Sequence, residues 1–464
     1  MGSNNNPLNE RRPVLAFLTS HWLSVLGSSL VTIAGCSWLF VVVLHAGGRT
    51  ANPYIGILIA FAIPAIFFLG LILIPVGAWL SRRRIQAGLA QVQSRRTVMR
   101  RLGLFFATMT VVNVVIASQV TYRAVAHMET DQFCGQSCHV MKPQFVANGR
   151  SVHRNVGCVN CHIVPGAEGF MRAKMNGTRQ LLEVTLNDYP RPVPPGLLSG
   201  RLAPSVETCE QCHSRTVEDG TPMRVLSKFK DDEANTPVQT VLMMNVTAIH
   251  GAHMGRGVEI RYRAADPKHQ TISSVEYRNS NTGETSIYST ANAKDASAPQ
   301  FLIECADRHN RQGHNFEQPD QAVDEAMAAG EIPVGLPFAH KTAIEALKAN
   351  SPAAFTAFYQ QKYPDVAAKR SADINKTAQL LQTIYDRNVF PDLGVKWGTY
   401  PNNLSHADNG GCFRCHDESH STPAKKTISQ DCSLCHNPLA VEETNPAVLK
   451  TLGLDQKITQ LLKQ

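Results

Sequence analysis

Four short motifs with the same spacing carry the chemistry of this sequence. Each contains two cysteines separated by two residues and followed at once by a histidine. They are CVNCH (Cys158, Cys161, His162), CEQCH (Cys209, Cys212, His213), CFRCH (Cys412, Cys415, His416) and CSLCH (Cys432, Cys435, His436). In this arrangement the two thiols can add to the vinyl groups of a haem while the histidine binds its iron. Four copies favour covalently bound haem c over structural zinc or a disulfide framework, the alternatives for paired thiols.

A fifth motif is one residue longer. The stretch FCGQSCHVM contains Cys134, Cys138 and His139, so three residues separate its cysteines, and Met141 follows two residues after the histidine. A slightly longer loop can still bring both thiols to the two vinyl groups. A methionine thioether is a soft ligand that raises the reduction potential of haem iron. We therefore predict a haem here, with Met141 as a candidate iron ligand.

A sixth motif is incomplete. In CADRH, Cys305 and His309 keep their positions, but Arg308 replaces the second cysteine. One thioether bond and axial histidines can hold a haem, or the site is lost and Cys305 is merely buried. The sequence predicts five haem c groups and leaves a sixth, at Cys305 and His309, open.

Electron-transfer haems need a second axial ligand, so histidines outside the attachment motifs should be present. The candidates are His153, His250, His253, His314, His340, His406 and His420. We expect His153, His314 and His420 first, with His253 and His406 as further ligands.

Three apolar runs precede these motifs, at residues 22–44, 54–80 and 102–122. Each reaches the roughly 20 residues that a membrane-spanning helix needs. Pro64 and Pro75 lie in the second run, and bilayer helices tolerate proline when neighbours satisfy the backbone. A buried core helix is the alternative for each run. We predict three spans, the first retained as an anchor because no small-residue cleavage site follows it.

Basic residues set the expected orientation. The loop between the second and third runs contains Arg82, Arg83, Arg84, Arg95, Arg96, Arg100 and Arg101 and no acidic residue. We place this loop and the N-terminus inside and everything after residue 125 outside. From residue 102 onward, 35 Lys and Arg face 36 Asp and Glu, a balance of −1 within a chain of +8. The surplus reflects membrane topology, so we expect no nucleic-acid partner.

The rest of the chain predicts a mainly α and irregular haem domain with a small antiparallel β insertion. Alternation of β-branched residues indicates strands at 238–247, 257–264 and 272–289. Apolar residues recur at helical spacing over 321–381. The predicted divisions are two spans and the basic loop (1–101), the third span with a first haem domain (102–235), the β insertion (236–300) and a C-terminal haem domain (301–464). The fold class is a membrane-anchored multihaem cytochrome c.

The succession FCGQSCHVM, SVHRNVGCVNCH, FMRAKMNGTRQ and CEQCH resembles the NapC/NirT family of membrane-anchored multihaem quinol dehydrogenases over residues 102–215. The resemblance implies that the haem nearest the membrane is reduced by a quinol. It also implies that Met141 is an axial ligand and that Lys174 lies near the quinol site. The two extra spans and the long C-terminal extension depart from the compact four-haem type, so the final acceptor does not carry over.

The expected function is electron transfer from menaquinol or ubiquinol, in the bacterial inner membrane, through these haems to a periplasmic or outer-membrane redox protein. One alternative is a passive haem subunit of a respiratory complex, fed by a partner that oxidises the quinol. Another is a reductase of a small nitrogen or sulfur compound. That enzyme needs an iron with an open coordination position, and no attachment motif here replaces its histidine by lysine.

Overall fold

A computed structural model describes residues 21–46, 63–83, 100, 115, 118–195, 203–213, 221–291, 298–406 and 409–454. These residues belong to two compact units, one ending at Cys138 and the other beginning at His139. The four divisions expected from the sequence remain predictions.

Two apolar helices dominate the described part of the first unit. They are α1 (Trp22–Ala46) and α2 (Ile63–Leu80). Among the described residues, α2 is long and apolar enough to cross a membrane, and residues 22–35 of α1 form a shorter apolar stretch. Residues 102–114 of the predicted third span lie outside the described residues, and the chain is helical again from 118 to 128. Three spans therefore remain a prediction.

Small residues let α1 and α2 pack closely. A Cβ on Gly27 would lie 2.7 Å from the Gly70 carbonyl oxygen, and a Cβ on Gly70 equally close to that of Gly27. The Ser24 hydroxyl donates to the Ile74 carbonyl oxygen at 3.1 Å. Close backbone approach at small residues, with a polar link, is how helices associate in lipid.

The second unit begins with short helices around the first cysteine pairs. They are α3 (Lys142–Asn148), α4 (Cys158–His162) and the longer α5 (Ala167–Thr185). α5 presents Met171, Met175 and Leu182 to solvent, four to seven residues apart along one face.

Within the described residues, seven strands form two antiparallel sheets. The strands are β1 (Met223–Phe229), β2 (Pro237–Met244), β3 (Val258–Ala264), β4 (Ile272–Asn279), β5 (Glu284–Ser289), β6 (Gln300–Leu302) and β7 (His436–Glu443). Their orders are β1-β2-β7 and β5-β4-β3-β6. The β insertion thus differs from the expected single small sheet, because β7 joins β2 from the C-terminal end of the chain.

Two short helices stand beside these sheets. α6 (Val246–Met254) connects β2 to β3, and α7 (Cys305–Arg308) follows β6. α6 carries the candidate ligands His250 and His253, and α7 begins at Cys305 of the incomplete motif.

The main hydrophobic core lies in the helical region predicted for 321–381. Its helices are α8 (Pro319–Ala328), α9 (Ala339–Lys348), α10 (Ala353–Lys362), α11 (Pro364–Lys369) and α12 (Ser371–Asn388). Phe355, Tyr359, Leu347 and Leu381 are fully buried there. This conventional core explains why the region folds as helices without any cysteine motif, since apolar burial supplies its stability. A terminal helix, α13 (Ala447–Thr451), follows β7.

A buried histidine makes this core pH-sensitive. His340 Nδ1 lies 2.8 Å from Asp231 Oδ1, and its Nε2 lies 3.1 Å from Asp324 Oδ1. Burial alone would lower the pKa of His340, but hydrogen bonds and charges from Asp324 and Asp231 outweigh it, so the pKa rises above 6.5. Protonated His340 then stabilises the fold below about pH 6.5, and the stabilisation is lost as pH rises through the folded-state pKa.

In the unaltered protein, we expect the free energy of unfolding to decrease as the pH rises above 6.5. In His340→Gln, we expect this decrease to be smaller. Thermal unfolding followed by circular dichroism at several pH values measures this slope. Lys341→Gln removes an exposed charge from the same helix and is the control. An unchanged slope in His340→Gln would show that other groups cause the pH dependence.

Candidate haem-binding sites

Five pairs of histidines face each other in the second unit, and each pair joins one histidine of an attachment motif to one outside the motifs. The pairs, with ring-centroid separations, are His162 and His314 (6.1 Å), His213 and His153 (5.9 Å), His309 and His250 (6.3 Å), His416 and His253 (5.8 Å), and His436 and His406 (6.1 Å). Each site is named below by its first cysteine.

This separation suits an iron ion between two imidazoles. Metal–imidazole bonds are about 2 Å long, so two such bonds and the inner halves of two rings span roughly 6 Å. Aromatic rings in ordinary contact show the same range of separations, about 4.5–7 Å, so it is the pairing of each motif histidine with a histidine outside the motifs that favours an iron site. The five pairs therefore fit bis-histidine haem ligation.

The outer ring nitrogens support this assignment. Nδ1 of His253, His314 and His416 lies 2.7, 3.0 and 2.8 Å from the carbonyl oxygens of Ile249, Gln144 and Ser429, respectively. A carbonyl only accepts, so each Nδ1 carries the hydrogen. The unprotonated Nε2 then remains for a metal, which is how protein contacts select the ligating nitrogen.

Burial keeps two of the candidate ligands in the metal-binding form. Burial lowers the pKa of His314 to about 4, and burial together with the Arg308 charge lowers the pKa of His309 to about 4. Both rings are neutral at neutral pH, and neutral imidazole is the form that binds a metal.

The competing uses of cysteine find little support in the described residues. None of the described cysteines forms a disulfide. Nor do three or more His, Cys, Asp or Glu side chains cluster there in a way that would hold a single metal ion. A structural zinc site takes four such ligands.

The irregular Cys305 site keeps the backbone of the complete motifs. The His309 amide donates to the Cys305 carbonyl oxygen at 2.8 Å. The corresponding bonds are 2.9 Å at the Cys209 site and 3.0 Å at the Cys412 site. With His250 opposite His309, the Cys305 site lacks only the second thiol.

The longer Cys134 motif accommodates its extra residue in a π-helical turn, Phe133–Ser137. The Cys138 amide donates to the Phe133 carbonyl oxygen at 3.2 Å, spanning five residues. Single π-turns occur often at functional sites. His139 and Met141 lie in the next turn, His139–Met141, at the start of the second unit.

Direct contacts connect neighbouring sites along the chain. The Ser205 amide, near Cys209, donates to Glu304 Oε2 beside Cys305 at 3.1 Å. Arg414, within the Cys412 motif, donates to the carbonyl oxygen of Asp307, between Cys305 and His309, at 2.9 Å.

Two further features bring sites together. The Cys435 thiol hydrogen-bonds the Cys412 thiol and lowers its pKa to about 5, so the last two sites adjoin. His250 and His253 lie one turn apart on α6, on neighbouring positions of one helix face. The second unit therefore places the Cys305 site between the Cys209 site and the last two sites.

Two of the candidate histidines, His420 from the expected set and His340 from the wider set, contact aspartates in the described structure. His420 is buried, with Nδ1 2.8 Å from Asp417 Oδ1 and Nε2 3.1 Å from the Ile272 carbonyl oxygen, so both nitrogens already have protein partners. His340 is held by two aspartates in the helical core. The prediction of His420 as a ligand is not supported.

His250 belongs in the set instead. The sequence makes His250 a candidate ligand but does not set it ahead of the other candidates. The spacing of His250 and His253 on a helix was the available signal, because residues three apart lie on one face.

The candidate quinol-site residue Lys174 lies on α5, with its ammonium 4.9 Å from the centroid of the Phe170 ring. A cation over an aromatic face is a favourable contact at a partly exposed site. The side chain therefore has a defined position against the Phe170 ring.

Comparison with known proteins shows similarity to c-type cytochromes. Residues 96–192 match the sequence model of the NapC/NirT cytochrome c family, N-terminal region. The chain is 32% identical over 451 residues to the cytochrome c-type protein ImcH of Geobacter sulfurreducens, covering 91% of this chain and 89% of that protein. No solved structure matches this chain.

Proposed function

Because the chain belongs to the NapC/NirT family of c-type cytochromes, which are membrane-anchored electron-transfer proteins, we propose that it moves electrons from a membrane quinol through six covalently bound haems to a periplasmic or outer-membrane redox protein. The five facing histidine pairs are the observation that carries this proposal. Bound haem supplies one-electron redox chemistry at each site. The protein holds the haems close together and sets their potentials.

The sixth haem follows from the position of the Cys305 site. Its contacts to the Cys209 and Cys412 motifs make it the connection between the two halves of the proposed chain. Without a haem there, the first three sites would be separated from the last two. The facing pair His309 and His250 supports two axial imidazoles at this site. The backbone hydrogen bond that it shares with the complete motifs supports one thioether bond from Cys305.

The second imidazole at five sites argues against a reductase. A reductase needs an iron with a free coordination position for its substrate. At each of the five paired sites the second histidine would take that position on a bound haem, as expected for pure electron transfer.

The input end is proposed at the Cys134 site. Met141 would bind the iron there, and Lys174 would hydrogen-bond a quinol oxygen and assist its deprotonation. Oxidation of a quinol releases two electrons and two protons. With the haem domain on the outer side of the inner membrane, these protons leave on that side.

The test is anaerobic mixing of the oxidised, detergent-purified protein with a menaquinol analogue while the haem absorption bands are followed. Rapid reduction that a quinol-site inhibitor blocks is the expected result. No reduction by quinol, with full reduction by dithionite, would instead identify a haem subunit fed by a partner. Lys174→Met should slow reduction, while Arg179→Met on the same helix should not.

Met141→Ala should lower the potential of one haem and slow reduction by quinol, because loss of the thioether removes a ligand that favours ferrous iron. Spectroelectrochemical titration and stopped-flow mixing measure the two effects. Met223→Ala, in β1, is the matched control. Unchanged potentials and rates would remove Met141 from the iron site.

A further inference from the structure

Arg308 stands where the second thiol of the Cys305 motif would be, and it faces the neighbouring sites. A partly open cleft is lined by Arg308 together with cysteines and histidines of the last two sites. Those residues are Cys412, Cys432, Cys435, His406, His416 and His436. The replacement thus places a guanidinium group where three haem sites meet.

A second arginine in these motifs shows what a structural role looks like. Arg414 donates from Nε to the Gly411 carbonyl oxygen at 2.9 Å. Its Nη1 and Nη2 donate to the carbonyl oxygens of His269 and Asp307 at 2.8 and 2.9 Å. Arg414 therefore ties backbone segments together with all three nitrogens.

Arg308 differs at its Nε. That nitrogen is buried and finds no hydrogen-bond partner among the described residues. A buried donor without a partner is destabilising, so an arginine at this position calls for a reason other than backbone bracing.

We propose that Arg308 raises the reduction potentials of the haems at the Cys305, Cys412 and Cys432 sites. Reduction of Fe(III) to Fe(II) adds one negative charge, and a nearby cation in a medium of low dielectric stabilises that product. An arginine remains charged at all physiological pH values. Electrons arriving from the Cys209 site then move downhill into the last three haems. This inference rests on the proposed function.

The experiment is a spectroelectrochemical titration of the full-length protein and four variants, with haem content measured by denaturing mass spectrometry. Arg308→Gln removes the charge. Arg308→Cys also removes it but restores a complete Cys-x-x-Cys-His motif, which secures haem attachment. Arg308→Lys keeps the charge, and Arg256→Gln removes an exposed arginine as the control.

We expect the one-electron equilibria of the last haems to shift about tenfold toward the oxidised form in Arg308→Gln and Arg308→Cys, about 59 mV for one electron. Arg308→Lys and Arg256→Gln should leave the potentials near the original values. A purely structural role predicts no rescue by lysine and no shift in Arg308→Cys, and that result would overturn the proposal.

The mass measurement separates this inference from the proposed function. Fewer than six haems in the unaltered protein would contradict the six-haem chain. The shift at the Cys412 and Cys432 sites would still test Arg308. Six haems with potentials unchanged in both charge-removing variants would refute the role of Arg308 and leave the chain intact.

Discussion

Replacement of Cys305 by serine is expected to remove one haem and to stop internal electron transfer halfway along the protein. The Cys305 site contacts the motifs on both sides of it. Electrons from a quinol should then reduce the three haems before it and leave the two after it oxidised. Transfer between closely spaced haems becomes far slower when one member of the chain is missing.

Denaturing mass spectrometry and stopped-flow reduction by a menaquinol analogue check this expectation. Cys36→Ser is the matched control, because Cys36 lies outside every attachment motif. The same number of covalently attached haems in Cys305→Ser as in the unaltered protein would show that the site carries no covalent haem. Loss of one haem with complete reduction of the remainder would show that electrons bypass the site.

The second large effect concerns a buried carboxylate. The side chain of Glu317 is 0% exposed and forms ion pairs with Arg387 at 2.8 Å and Arg150 at 2.7 Å. Asn388 Nδ2 also donates to it at 2.9 Å. Glu317 lies three residues after the distal ligand His314. Its ion pairs join the segment after α3, which contains Arg150, to the end of α12, which contains Arg387.

We expect Glu317→Ala to destabilise the second unit by about 3–5 kcal/mol, because it removes the fully buried partner of Arg387, whose side chain is only 18% exposed. Denaturant unfolding followed by circular dichroism measures the loss. Asp320→Asn breaks an exposed pair with Lys348 at 3.2 Å and should cost no more than about 1 kcal/mol. Equal losses of unfolding free energy in the two variants would mean that the Glu317 ion pairs contribute no more to stability than an exposed pair.

The sequence predicts the attachment residues well because their chemistry is local. Two thiols and a histidine within five residues form one short turn wherever they occur. Distal ligands are different, since His314 lies 152 residues from His162 and only the tertiary fold brings them together. His420 resembled a ligand because it lies four residues from His416, yet Asp417 and the Ile272 carbonyl oxygen, 148 residues away, engage its two nitrogens.

The same distinction holds for the fold. The hairpin of β4 and β5 and the helices of the C-terminal core follow from local alternation and helical spacing. The pairing of β7 with β2 joins segments about 200 residues apart, and no local pattern indicates it. Sequence periodicity finds elements more readily than it finds their partners.

One feature of α6 restricts how this protein can change. His250 and His253 serve two different sites from one helical turn. Insertion of one residue between them would rotate His253 by about 100° relative to His250, so a single added codon would detach one site or the other. Substitutions elsewhere on α6 leave that geometry intact. The length of this turn is therefore expected to tolerate less variation than its composition.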